Sequence, residues 1–354
     1  MNLDLSIAEL AVKYRSGGTS PIEVIKECLE NIERYNPALN AFITVCDKQE
    51  VLKEAQNTKF ETPLSGMPYV LKDAYVTRGL KTTAASKILG NYIPAYDATV
   101  VKKLKEAGAI LIGKNNMDAW GHGASTENTD FGPAKNPWDK SRVAGGSSGG
   151  AAVAVSARMA MFAIGEDTGG SIRNPAGWCG ISGLKVTYGR VSRYGAIAYA
   201  SSLDTVGPMA KSSQDLALVL EQIAGVDKYD ATSSPIAISK YSENPDFDFS
   251  KIKIGIPMEL NPQINDAVAK FKGLGAEIVD ITLPMLKYAV SAYYLLAPSE
   301  TSSNLGRYDG IRFGNDRQNF TQETMRRIMI GTYALSAGYY DAYYKKAQQA
   351  RTKI

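Results

Sequence analysis

Histidine is nearly absent: the 354-residue sequence holds one, His122. A metal site built on several imidazoles is excluded. Any serine or cysteine hydrolase that relies on an imidazole base would have to use this one. Cysteine is scarce too. Cys28, Cys46 and Cys179 are odd in number, widely spaced and form no CxxC pair, so neither a zinc ribbon nor a disulfide framework is supported. They read as small buried hydrophobes in a reducing compartment. A charge excess is missing as well. The 40 basic and 36 acidic residues leave a net charge of +4 with no Lys/Arg block, which neither indicates nor excludes a nucleic-acid partner. No apolar run reaches the roughly 18 residues that span a bilayer. The N-terminal stretch contains Asp4 and Glu9 and lacks the continuous apolar region of a signal peptide. These absences predict a soluble cytoplasmic protein without a membrane partner.

What is present is a globular composition, 44% hydrophobic and 21% charged, too apolar for a disordered chain. The length suits two or three domain-equivalents or one large α/β domain. Residues 1–65 read as mostly helical. Ser20-Pro21-Ile22-Glu23 fits a capping box with proline at the first helical position, and Ile22, Ile25, Cys28, Leu29 and Ile32 follow at helical spacing. From Met67 the pattern alternates. Strands are expected at 68–71, 109–112, 161–164, 252–256 and 276–281, with helices at 99–107, 150–158, 214–223 and 265–272. The apolar run 109–112 lacks alternation, as in a strand buried on both faces. The alternation suggests a sheet covered by helices on both faces. The Tyr-rich final hundred residues read as helical.

Two glycine-serine segments stand out, Gly145-Gly146-Ser147-Ser148-Gly149-Gly150 and Gly165-Glu166-Asp167-Thr168-Gly169-Gly170-Ser171-Ile172-Arg173. Such segments can be linkers or turns, but the apolar stretch between them can hold both against a core. A phosphate-binding loop would need GxxxxGK followed by Ser or Thr, and its lysine is missing. Nucleophilic catalysis fits better. A serine needs a base in reach and backbone N–H groups aimed at the developing oxyanion. Glycines let the chain curl with its amides inward. The base is then His122 or a lysine, because a buried lysine loses its proton more easily. Lys72, at the end of the apolar run from Met67, is the best candidate, with an ordinary solvated lysine as the alternative.

Several segments together resemble the amidase signature family. They are Met67-Pro68-Tyr69-Val70-Leu71-Lys72-Asp73, the two glycine-serine segments, Gly113-Lys114-Asn115-Asn116-Met117-Asp118 and Gly123-Ala124-Ser125-Thr126-Glu127-Asn128. Lys72 and Ser147 lie 75 positions apart, and Ser147 and Ser171 24 apart. The resemblance implies an α/β fold with a mixed twisted β-sheet between helices. It implies Ser171 as the acylated nucleophile, Ser147 beside a cis peptide bond as proton relay, and Lys72 as the neutral base. The amides of Thr168, Gly169 and Gly170, with that of Ser171, would form the oxyanion hole. Tyr293, Arg327 and Ser125 would bind the substrate, a guanidinium suiting a free α-carboxylate because it can bond both oxygens.

Within the family, the segments 188–193, 200–204, 304–312 and 338–344 resemble the A subunits of Glu-tRNA(Gln)/Asp-tRNA(Asn) amidotransferases. This implies a glutaminase working in a heterotrimer with B and C subunits. Ammonia would pass to the B subunit, which would also bind most of the mischarged tRNA. ATP and Mg are implied on the partner, and no cofactor or metal in this chain. Two departures are expected to matter. The family fold continues beyond residue 354, so residues 66–354 would form an amidase domain incomplete at its C-terminus, following an N-terminal helical segment 1–65. The stretch between Phe313 and Arg327 and the loop after Pro257 are shorter than the family pattern. Poor activity of the chain alone is therefore expected. The alternatives are a stand-alone amidase for another small amide and a catalytically weak scaffold form. Asp167, Arg173 and His122 are expected to be structural, Ser148 to assist the network or cap a helix, and Trp120, Trp138 and Trp178 to be core or pocket wall.

Overall fold

Two capping boxes begin the chain. In the computed structural model, which describes residues 2–243, 247–258 and 264–354, Ser6 pairs with Glu9 at the start of α1 (Ile7–Arg15). Ser20 pairs with Glu23 at the start of α2 (Pro21–Leu39). Each box satisfies helix-end N–H groups that would otherwise lack partners. The expected face of α2 is buried at Ile25, Cys28, Leu29 and Ile32, while Ile22 is half-buried.

The chain continues through β1 (Phe42–Val45), α3 (Lys48–Gln56), β2 (Pro68–Lys72), α4 (Thr99–Glu106), β3 (Ile110–Asn115), α5 (Gly149–Ser156), β4 (Phe162–Asp167), α6 (Arg173–Cys179), β5 (Ser182–Gly183), β6 (Thr205–Ala210) and α7 (Ser213–Ile223). The strands form one mixed sheet in the order β1-β3-β2-β4-β6-β5. Its centre, β3-β2-β4, is parallel and its flanks are antiparallel. Central strands β2 and β4 are buried at every position, which explains their continuous apolar runs. Helix α5 is apolar on all sides, and seven of its eight residues are buried. A helix of this kind can only sit inside a core. At Gly150 a side chain would collide with the carbonyl of Ala41 and stand 2.7 Å from the amide of Asn116, so only glycine fits there.

The chain divides into two compact units, Met1–Ser242 with Ala297–Gly331, and Glu243–Leu296 with Thr332–Ile354. Residues 1–65 belong to the larger unit. In the smaller unit β7 (Lys253–Pro257), α8 (Asn265–Gly273) and β8 (Glu277–Ile281) make a parallel pair of their own. These three elements match the sequence expectation but do not join the main sheet. The loop after Pro257 lies outside the described residues from 259 to 263. Helices α9 (Ala289–Asn304) and α10 (Gln322–Ala334) run through the division. The end of the chain is helical, as expected, with a π-helical turn at Tyr340–Lys345 before α11 (Lys346–Lys353). No helix among the described residues is long and apolar enough to cross a membrane.

Candidate active site

The sheet register sets the end of β2 beside the strand that leads to Ser171. Lys72 ends β2, and its neighbour β4 runs parallel to it. The 161–164 pattern underestimates β4, which continues to Asp167 and carries Glu166 and Asp167 into the sheet. Ser171 lies in the turn between β4 and α6, and Ser147 lies just before α5.

Lys72 is 1% exposed, and its Nζ donates to Ser147 Oγ at 2.8 Å. The Gly146–Ser147 peptide is cis. The Ser148 amide donates to the Ser171 carbonyl at 3.1 Å, which ties the two serine segments side by side. Ser147 and Ser171 are both buried. Burial pushes the Lys72 ammonium down from the ordinary lysine range, and the carboxylates of Glu166, Asp118, Asp204 and Asp167 push back.

The turn before Ser171 is built by Asp167. Its carboxylate accepts from the Gly170 amide at 2.8 Å and the Ile172 amide at 3.1 Å, and pairs with Arg173 at 3.0 Å. Burial opposes ionisation of Asp167, but Arg173 and these amides outweigh it and hold the carboxyl below its usual range. Asp167 and Arg173 thus fix the loop. The Gly170 amide is consequently engaged, a correction to the expected oxyanion hole: it bonds within its own turn. The amides of Thr168, Gly169 and Ser171 make no hydrogen bond among the described residues. The Thr168 hydroxyl donates to Asp204 at 2.6 Å, which joins this turn to residues 199–204.

Asp118 organises the wall that packs against Gly146. It accepts from the amides of Thr126 at 2.9 Å and Asn128 at 3.1 Å. The Ser125 amide also supports it, and burial still raises its carboxyl to about 6. Ser125 itself is half-buried. A Cβ on Gly146 would collide with the Asp118 carboxylate and come within 2.7 and 2.8 Å of the Ser125 and Thr126 amides. Ser148 does not cap α5. Its hydroxyl donates to the Glu166 carbonyl at 3.2 Å.

Arg327, on α10, is buried, bonded to Glu323 at 2.8 Å and to the Tyr199 hydroxyl at 2.6 Å. Tyr293 is half-buried on α9, edge-on to Tyr294, and belongs to the smaller unit. His122 is fully buried between the hydroxyls of Thr324 (3.2 Å) and Thr301 (3.1 Å). Burial, with help from Arg327, pushes its imidazolium well below the usual range. Both ring nitrogens are engaged by these threonines, so neither bonds to Lys72, Ser147 or Ser171. Trp120 is core, but Trp138 and Trp178 are 76% and 52% exposed. Neither is core, because Trp138 lies in a surface bend and Trp178 on the outward side of the short helix α6. Cys28 and Cys179 are buried as expected, while Cys46 is half-buried.

Sequence reasoning gives no role to Glu166, Asp118 or Asp204, or to the buried Lys114–Asp73 ion pair at 3.0 Å. The available signal is charge in strand-like or turn segments beside the serines. Among the described residues no cluster of three or more His, Cys, Asp or Glu could hold a metal ion. The arrangement can move a proton between a serine hydroxyl and a buried lysine, next to a turn with free amides.

The chain is similar to known proteins over nearly its whole length. The family model described as Amidase matches residues 23–354. The chain is 47% identical to the A subunit of the glutamyl-tRNA(Gln) amidotransferase of Geobacter metallireducens, over 99% of this chain and 78% of that one. It is also 47% identical to the corresponding subunit from Carboxydothermus hydrogenoformans, with the same coverage. The solved A subunit of the glutamyl-tRNA(Gln) amidotransferase from Thermotoga maritima superposes with a TM-score of 0.81 at 40% identity, covering 100% of this chain and 75% of that one. The peptide amidase of Stenotrophomonas maltophilia superposes with a TM-score of 0.83 at 29% identity, covering 97% and 78%.

Proposed function

This chain belongs to the amidase family, and on that premise we propose that it is the glutamine-hydrolysing subunit of a tRNA-dependent amidotransferase. The observation that carries the chemistry is the 2.8 Å contact between buried Lys72 and Ser147, beside the turn that holds Ser171. Ser171 Oγ attacks the side-chain amide carbon of glutamine. Its proton passes through the Ser147 hydroxyl to neutral Lys72. The free amides of Thr168, Gly169 and Ser171 receive the negative charge that develops on the carbonyl oxygen. As the C–N bond breaks, the proton returns through Ser147 to the leaving nitrogen and ammonia departs. Water then cleaves the γ-glutamyl ester by the same relay, releasing glutamate and restoring Ser171. In this reading Arg327 and Ser125 contact the glutamine, and the resemblance supports the same role for Tyr293.

The proposed acceptor is mischarged Glu-tRNA(Gln), a reading that the relatives' names support, or by the resemblance Asp-tRNA(Asn). In this reading ammonia passes to a B subunit that binds the tRNA and carries ATP and Mg, and a C subunit supports the pair. This chain needs no cofactor of its own.

The test is to incubate the chain with glutamine and hydroxylamine. γ-Glutamyl hydroxamate is expected from the wild type and none from Ser171→Ala. Hydroxamate from acetamide but not from glutamine would replace this reading with a stand-alone amidase. No hydroxamate in the presence of both partner subunits would favour a scaffold.

A further inference from the structure

We propose that Glu166 is a positioning residue that shares one buried charge site with Lys72 and sets how readily Lys72 gives up and regains its proton. The inference rests on the reading of Lys72 as the base. Glu166 Oε2 stands 3.6 Å from Lys72 Nζ, with the two side chains 3% and 1% exposed. The lysine is held in place on two further sides, by Ser147 Oγ at 2.8 Å and by the backbone carbonyl of Glu166 itself at 3.4 Å. The other carboxylate oxygen, Glu166 Oε1, is buried and makes no hydrogen bond among the described residues. The carboxylate therefore has Lys72 as its contact partner and little else to stabilise its charge.

Neither group can carry a charge there alone at small cost. Burial, and next the nearby Asp204 carboxylate, push Glu166 up to about 8. Burial pushes Lys72 down. Other charges face the pair. Asp118 comes from the 116–128 wall, Asp204 from the turn after residue 199, and Asp167 from β4, where Arg173 neutralises it. Arg193 acts on Glu166 from further away. On neighbouring β3, Lys114 is already matched by Asp73. Glu166 is the carboxylate that ion-pairs with Lys72 Nζ among the described residues, and so the one placed to respond to its charge. When Ser147 hands a proton to Lys72, the ammonium forms beside that carboxylate, and the attraction offsets the burial. Glu166 thereby makes Lys72 a stronger base. The accompanying effect is a higher pH before Lys72 is free to act.

Removing the carboxylate has a signed consequence. Without it Lys72 loses its proton at lower pH but binds a transferred proton less well. A Glu166 that only filled space would alter the rate equally at every pH.

The test follows sulfonylation of Ser171 in the full chain by phenylmethylsulfonyl fluoride, read by intact mass, from pH 5 to 10. In this step Ser171 Oγ bonds to sulfur, fluoride leaves and the serine proton goes to the relay. In Glu166→Gln the midpoint of the rate profile should move down by about 1 to 3 pH units, the range for losing an opposite charge at this distance, and the high-pH plateau should fall. An unchanged midpoint in a folded variant overturns the proposal. If the variant does not fold, the wild type decides. Lys72 Cε and Glu166 Cδ resonances in the 13C-labelled chain should titrate with a shared midpoint, and independent midpoints overturn it. Lys72→Ala separates this outcome from the underlying reading. If that variant is sulfonylated as fast as the wild type, the base assignment itself fails.

Discussion

Replacing Lys114 by methionine removes one half of the ion pair that ties β3 to the residue after Lys72. Both side chains of the pair are fully buried, with Lys114 Nζ 3.0 Å from Asp73 Oδ1. Lys114 also donates to the Tyr75 carbonyl at 2.8 Å and the Thr82 hydroxyl at 2.9 Å. Asp73 Oδ2 accepts from the Thr83 amide at 2.8 Å and the Thr83 hydroxyl at 2.5 Å. Methionine matches the length of lysine but leaves the Asp73 carboxylate without a counter-charge in a fully buried site. Breaking such a pair from one side costs about 3–5 kcal/mol. For a chain of this size, at the usual unfolding entropy per residue, that corresponds to a fall in Tm of about 4–7 °C. Differential scanning calorimetry or urea unfolding measures it. Asp73→Asn added to Lys114→Met removes the stranded charge and should recover part of the loss. Since Asp73 adjoins Lys72, sulfonylation of Ser171 should also slow in Lys114→Met. A single-variant cost below about 1 kcal/mol, or a double variant no more stable than the single, would refute the claim that this pair anchors the end of β2.

Gly146→Ala should abolish Ser171 sulfonylation and destabilise the fold by at least about 1–3 kcal/mol, because the new methyl meets Asp118 and two backbone amides; a reactive, stable variant would show that the wall can move. Arg327→Lys should raise KM for glutamine about 10- to 100-fold, the worth of a hydrogen bond to a charged group, and an unchanged KM would remove Arg327 from the substrate site. His122→Gln should keep most of the acylation rate. The imidazolium of His122 is depressed in the folded chain, so the stability it contributes is present above the unfolded pKa near 6.5 and is lost as pH falls. Wild type should therefore lose about 1.4 kcal/mol per pH unit below that point relative to His122→Gln. Parallel stability curves for the two proteins would show that His122 is not held neutral.

What is legible in the sequence is local. The Ser20–Glu23 capping box, the unbroken apolar runs of β2 and β3 and the α2 stripe are decided by neighbours along the chain. Lys72, Ser147 and Ser171 stand out together only through the resemblance to the amidase signature family, since glycine-serine segments alone read equally as linkers or turns. What is not legible depends on register. Strand β6 contains Gly207 and Pro208, which break a β pattern, yet it pairs along the whole of β4. That pairing sets Asp167 opposite Thr205 and brings Asp204 to Thr168. A pattern that ends β4 at Ile164 cannot show Glu166 turning inward toward Lys72. The Gly170 amide is misassigned for a similar reason, since nothing local shows that Asp167 bends back to bond it. The two exposed tryptophans show the reverse error, in which size is taken for burial.

Helix α5 has a consequence for how this protein can change. Ser147 is followed directly by a helix with no free face, seated so tightly that Gly150 has no room for a methyl group. Ser147, the proposed relay, is therefore mounted on a tightly packed part of the molecule. A saturation library across 145–155 should return almost no survivors. New substrate preferences would have to arise in the walls around this fixed post, where side chains such as Ser125 are still partly open to solvent.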